Sequence, residues 1–360
     1  MKRKPVLSIE ERIDELSKEI EARRRRTAES RDYFLQRYGS ATAFAEERLR
    51  DITDEIRDGD PSVPSALVKS FYTLNARLFP VEGERETPEG FKAYAQHDHT
   101  LAFFDVGERG EIKPLENERR IIVCMDENKK DVIAATAFGV IATCNDIRRR
   151  TQIDGMVGLT YLMVHEDYRG SGIGKHFAAE VIPRSAKSFL QNTCRTHDPR
   201  LVIGAEINDI RKSTFGDALS DFEGALILPN ARENFWRRSG FAPLAFDKYV
   251  QLKLREELEP FAALSLFVEG WKKESIPTDL VWAMIETHAV LCLNKQRGLD
   301  ETDTAILEGM KAALMSEPMI SFRPDVGDYR DRDIHLLEIM KRAAQMETAS
   351  VDARMSELFD

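Results

Sequence analysis

An α/β fold is what this sequence predicts, and three observations predict it. Apolar runs rich in β-branched residues recur at 121–125, 132–143, 159–164 and 201–207, and each reads as a strand. Segments of helical periodicity alternate with them at 65–79, 175–191 and 230–239. Between the third strand and its following helix stands Arg169-Gly170-Ser171-Gly172-Ile173-Gly174, a glycine-rich passage from strand to helix.

Taken in order, the chain opens on helices. Ser8 and Glu11 form a capping box, and Ile9, Ile13, Leu16 and Ile20 repeat at the 4-3-4 spacing of an amphipathic seam. Arg23 and Thr27 break that seam, which argues against a long coiled coil. A second helix is expected over 41–57, stopped by Gly59-Asp60-Pro61, and Pro61 to Pro64 mark a boundary. The helix over 65–79 comes next. Residues 121–125 and 132–143 then flank the polar turn Asp126 to Asp131. After the glycine passage and its helix, 201–207 is a strand, 230–239 a short helix closed by Gly240, and 249–254 a last strand. Helical periodicity resumes at 260–273, 279–295 and 303–315, with Pro277, Gly298 and Pro318 as breaks, and 333–346 reads as a final helix. The division is a helical extension over 1–60, a central domain over 61–255 and a second helical extension over 256–360. The extensions read as packing or homo-oligomerisation elements.

Composition narrows the function. A net charge of −10 over 360 residues, with no basic stripe interleaved with aromatics, argues against nucleic acid or anionic membrane as partner. The run Arg23 to Arg26 has acidic residues on both sides and reads as a solvated helix face. An acidic balance suits a cationic amine substrate, though solubility explains it equally. Cys124, Cys144, Cys194 and Cys292 form no C-x-x-C pair and keep no metal spacing with histidine, so no metal is expected and a reducing cytoplasm is the simplest location. His97 and His99 flank Asp98; a metal pair is conceivable there, but two histidines in a polar connection are the plainer reading. Glu10 and Glu11 arrive before any hydrophobic stretch, which is not a signal-peptide pattern, and the longest apolar run, 132–143, is short for a membrane helix.

The glycine passage carries the chemistry. Glycines let a backbone turn tightly and bring its N–H groups against a ligand, and a following helix aims its free amides at the same point. Together these make a pyrophosphate site. A Walker loop does not fit, because Arg169 stands where its first glycine belongs and His176 replaces the magnesium-binding hydroxyl. The dinucleotide fingerprint fails at Lys175, where its third glycine should be.

What fits is V-x-x-x-x-R-x-x-G-x-G, met by Val164, Arg169, Gly172 and Gly174. This pattern resembles the acyl-coenzyme-A loop of the GNAT N-acetyltransferase superfamily. The order of strands and helices over roughly 62–255 and the segment Asn234 to Phe241 are similar to the same family. The resemblance implies a mixed, mostly antiparallel sheet flanked by helices. It also implies transfer of an acetyl or other short acyl group from coenzyme A to a primary amine by direct attack.

Under that resemblance, Leu162, Met163 and Val164 hydrogen-bond the pantetheine arm as an added strand, and one of their amides polarises the thioester carbonyl. Gly170, Ser171, Gly172, Ile173, Gly174 and Lys175 hold the pyrophosphate with their amides, and Arg169 adds charge. The family's usual tyrosine acid falls at Trp236, and indole is no acid at neutral pH. That departure leaves Tyr161 or Tyr249 as catalytic candidates for the role, or else a half-buried strand aromatic in each case. Glu206 is the best carboxylate for removing the amine proton, its alternative being an ion pair with an arginine. His165 titrates in a useful range but sits on the loop, where a solvent-facing role suits it better. The same departure supports an alternative: a catalytically silent acyl-coenzyme-A-binding or interaction protein. The stretch 209–229 is long enough to cover the acceptor, which is a small-molecule or peptide amine on this reading.

Overall fold

The computed structural model describes residues 9–79, 86–96, 104–106, 112–209, 228–252, 260, 264–293 and 299–324. His97, His99, most of the stretch 209–229 and the expected helix 333–346 lie outside them.

A seven-stranded sheet organises the described residues, in the order β1-β4-β5-β6-β7-β9-β8. Its strands are β1 (Leu49–Asp51), β4 (Asn117–Met125), β5 (Val132–Ala142), β6 (Gly155–Val164), β7 (Leu201–Asn208), β8 (Ala242–Pro243) and β9 (Leu264–Glu269). Only β6 and β7 run parallel. Two small hairpins stand apart: β2 (Phe104–Val106) with β3 (Ile112–Pro114), and β10 (Ser275–Pro277) with β11 (Met319–Ser321). Central β5 is buried at every position, as an apolar run covered on both faces must be.

Period-two alternation divides the core. Val157 and Leu159 pack with Phe177, Ile182 and Leu190 of the helical run Ile173 to Cys194. Met156 packs with Leu280, Met284 and Leu291 beyond residue 277. Tyr161 and Met163 join Phe71 and Leu74 of α4 (Ala66–Leu78) and Phe91 of α5 (Pro88–Ala95). Ser65 and Thr87 cap those two helices through their side chains.

The sheet draws on residues outside the expected central domain at both ends. The segment 41–57 is not one helix. It holds α2 (Ala41–Glu46), then β1, then α3 (Thr53–Asp58). Pairing to β4 wins over local helical preference there: Ile52 donates to the Ile121 carbonyl at 2.9 Å, and Ile121 donates to Thr53 Oγ1 at 2.8 Å. At the other end, the described part of 249–254 forms no continuous strand. The closing strand is β9, from the segment 260–273 that periodicity assigns to a helix. Leu264 to Val268 are buried without a break, and such a run has the same appearance in a buried strand and a buried helix. The expected boundaries at 60 and 255 therefore do not coincide with the limits of the sheet.

Three glycines lie in register across three strands: Gly139 opposite Gly158, and Gly158 opposite Gly204. They make a trough. The helix Thr278–Thr287 and its π-helical continuation His288–Cys292 settle into it. A Cβ at Gly139 would meet Leu291 Cβ at 2.7 Å, one at Gly158 Cys292 Sγ at 2.6 Å, and one at Gly204 Met284 Cε at 2.9 Å.

Candidate functional site

The one parallel pair opens partway along. β6 and β7 are in register from Gly155 with Leu201 to Leu159 with Ala205, and no further. At that point the β5–β6 register shifts, leaving Thr160 as an extra residue on β6, a bulge that bends the strand. Leu162, Met163 and Val164 remain paired to β5 alone, so their other backbone edge faces a gap. An extended ligand arm can pair with such an edge.

β6 delivers the chain directly into the loop. His165 caps the short turn Glu166–Tyr168, its Nδ1 accepting from the Asp167 amide at 3.3 Å, so its role here is local. Arg169 is exposed, and its Nε donates to the Val164 carbonyl at 3.4 Å. Gly170 and Gly172 take φ of 83° and 98°, which side chains disfavour. Ser171 is buried and builds the loop: its hydroxyl donates to the Tyr168 carbonyl at 2.6 Å and accepts from the Ile173 amide at 3.3 Å. Among the described residues, the amides of Gly170, Gly172, Gly174 and Lys175 have no hydrogen-bond partner. They open the helical run from Ile173 to Cys194, so the dipole's positive end falls on the loop. Met163 is buried under α4, a Cβ at Gly174 would lie 3.2 Å from Val164 Cγ2, and Lys175 is exposed.

The N-terminal helix α1 (Ile9–Tyr38) packs on this loop. A Cβ at Gly170 would lie 2.6 Å from Thr27 Cγ2, and one at Gly172 would lie 3.3 Å from Ala41 Cβ. Ser30 Oγ donates to the Asp167 carbonyl at 2.7 Å, and buried His176 Nε2 is 3.0 Å from Glu46 Oε1.

Glu206 stands immediately beyond the last parallel pair, its side chain 6% exposed. Its carboxylate is fully engaged. Tyr249 donates its hydroxyl to Oε1, while Gln251 Nε2 and His288 Nε2 reach Oε2, the latter at 2.6 Å. Glu206 and Tyr249, both candidates from the sequence, are thus brought together, but the carboxylate's cation is a histidine and not the arginine considered above. Burial disfavours a charged His288, yet Cys292 and Glu206 outweigh it and hold the imidazole well above its ordinary range. Burial, then the Glu206 charge, pushes the Tyr249 hydroxyl well up. Tyr161 lies elsewhere, packed 5.3 Å from the Phe79 ring and 5.8 Å from Phe91. Trp236, on the helix Leu228–Arg238, packs between Phe235 and Phe241 at 5.0 and 4.8 Å.

Four further residues gather here that were not singled out from sequence as site residues: Gln251, His288, Cys292 and Arg119. Arg119 is 1% exposed, donates to the Tyr94 and Val290 carbonyls at 2.8 and 2.9 Å, and interacts with Cys292. The available signal was the spacing of His288 and Cys292, four residues apart in a helical segment, which places them on one face. Among the described residues no group of three or more His, Cys, Asp or Glu could hold a metal ion, and no helix is long and apolar enough to cross a membrane.

No family model matches the chain, and no curated protein matches it. Among solved structures, it is similar to a protein from Desulfovibrio desulfuricans assigned to the GNAT family of acetyltransferases, at 14% identity over 61% of this chain and 94% of that one, with a TM-score of 0.29. It is also similar to a mosquito protein named arylalkylamine N-acetyltransferase-like 5b, at 12% identity over 61% and 98%, with a TM-score of 0.27. The described residues form a mixed, mostly antiparallel sheet flanked by helices, with its parallel pair opening just ahead of a glycine loop and its helix, which is the fold class expected from the sequence.

Proposed function

We propose that the chain is an acyl-coenzyme-A-dependent N-acyltransferase. The observation that carries this reading is the gap between β6 and β7, which runs straight into a loop of unpartnered amides. The exposed edge at Leu162 to Val164 suits a pantetheine arm, and Gly170, Gly172, Gly174, Lys175 and Arg169 suit a pyrophosphate. A thioester held in the gap would lie beside Thr160 and Glu206. There an amide of β6 can polarise its carbonyl, and an amine positioned alongside completes what acyl transfer needs. The acceptor is a small-molecule or peptide amine.

One observation favours a second reading, an acyl-coenzyme-A-binding protein without turnover. Trp236 occupies the family's acid position and is packed between two phenylalanine rings. Titration calorimetry with coenzyme A, followed by free-thiol release from acetyl-coenzyme A over a panel of amines, tests both. Binding with amine-dependent thiol release supports the transferase; binding without release from any amine supports the silent reading; absence of binding ends both.

A further inference from the structure

The trough of glycines brings a π-helical turn down onto the sheet beside the opening strands. Cys292 and His288 both sit on that turn. Each is 4% exposed. A Cβ at Gly158 would lie 2.6 Å from Cys292 Sγ and 3.6 Å from His288 Nδ1, so sulfur and nitrogen flank one point above the strand. Gly158 is one residue before Leu159, where the parallel pairing ends. His288 is held from its far side: Nε2 is engaged by Glu206, which leaves the buried Nδ1 for Cys292, with which the imidazole also interacts. The nitrogen left over faces the thiol.

This is the arrangement that activates a thiol: a sulfur, an imidazole turned toward it, and a carboxylate that fixes the ring from its other nitrogen. The buried Arg119 guanidinium interacts with Cys292 as well. A purely structural cysteine needs none of these neighbours.

We propose that Cys292, with His288 and Glu206, is a nucleophile that takes the acyl group from the coenzyme A thioester before the amine receives it. The proposal rests on the acyltransferase reading and replaces the direct attack implied by the family resemblance with two steps. In the first, Cys292 Sγ gives its proton to His288 and attacks the acyl carbon. The bond from that carbon to the coenzyme A sulfur breaks, and the departing thiolate takes the proton from His288. In the second, the amine nitrogen attacks the acyl carbon, the bond to Cys292 Sγ breaks, and the amine proton passes through His288 to the cysteine. No other reactant is consumed. The missing acid at Trp236 is thereby accounted for, since His288 protonates the leaving thiolate.

The test uses the full chain and acetyl-coenzyme A without amine, quenched in acid and read by intact and peptide mass. The expected result is one acetyl group on Cys292, removed by hydroxylamine, with the more accessible Cys144 and Cys194 unmodified. Cys292→Ser should abolish that adduct and lower amine-dependent thiol release by at least about a hundredfold while still binding coenzyme A in calorimetry. His288→Gln should block acetylation, and Cys194→Ser should leave it intact. If Cys292→Ser and Cys292→Ala turn over as fast as wild type, the inference falls while the acyltransferase reading stands. Acetyl groups only on Cys144 or Cys194 likewise overturn it. If the wild-type protein neither binds coenzyme A nor releases thiol, the acyltransferase reading itself falls and takes the inference with it.

Discussion

His288 Nε2 lies 2.6 Å from Glu206 Oε2, and the two side chains come from parts of the chain that the sequence assigns to different units. Both are at least nine-tenths buried, so each is the other's principal replacement for water. Burial alone would lower the affinity of His288 for its proton, but Cys292 and then Glu206 more than offset it, so folding raises that affinity.

The sign of the resulting pH dependence follows. A histidine raised above its ordinary 6.5 binds more proton in the folded than in the unfolded state. Its contribution is fully present below that value and is lost as pH climbs through the folded-state value. Urea midpoints should therefore fall as pH rises from about 6.5, and His288→Gln should flatten that part of the profile. Equal slopes in the two proteins would show that no proton is taken up there.

Gly158→Ala should destabilise the protein by about 1 to 3 kcal/mol, the usual cost of overpacking a filled site, because its Cβ would meet Cys292 Sγ at 2.6 Å. Gly139→Ala should behave similarly against Leu291. Gly309 provides the control. It lies within the helix Glu301–Leu314 with nothing near its Cβ position, so Gly309→Ala should stabilise by about 0.5 to 1 kcal/mol. Denaturant midpoints at constant slope read all three.

For the loop, Arg169→Ala should weaken coenzyme A binding by about 1.5 to 3 kcal/mol, the range of a charge-assisted hydrogen bond. Gly172→Val should be harsher, since a β-branched residue cannot hold φ of 98° without strain. Calorimetry that finds coenzyme A affinity unchanged in the arginine variant would withdraw the pyrophosphate assignment.

Glu206→Gln keeps the shape of the cluster but removes the charge opposite His288. It should lower turnover by about two to four orders of magnitude, with coenzyme A affinity nearly unchanged. Trp236→Phe should leave rate and pH profile intact, because Trp236 contributes packing to Phe235 and Phe241. A large rate loss in Trp236→Phe with full stability would restore a chemical role to that position.

How far the sequence disclosed all this depended on the range of the contacts involved. The loop was legible because strand, arginine, glycines and helix are neighbours in the chain, and local chemistry dictates their order. The Leu264–Glu269 strand was not, since an apolar run buried on both faces has no period to read. Its place beside β7 is fixed by partners about sixty residues earlier. Glu206 could be picked out as a carboxylate at the opening, but not its company. Tyr249, Gln251 and His288 converge on it from 43, 45 and 82 residues away. His288 was not picked out at all, because the glycines that admit its helix belong to three strands far from it in the chain.

Ser30 and Thr27 meet the loop from far along the sequence, the first at the Asp167 carbonyl, 137 residues away, and the second beside Gly170. Ligand binding at the loop and docking of the first helix thus involve neighbouring backbone groups of one short segment. Coupling between two such events is reciprocal: whatever a ligand does to the seating of α1, the seating of α1 does to the ligand's affinity. The first helix is therefore a place from which occupancy of the loop can be read, and amide hydrogen exchange along α1 with and without coenzyme A would read it.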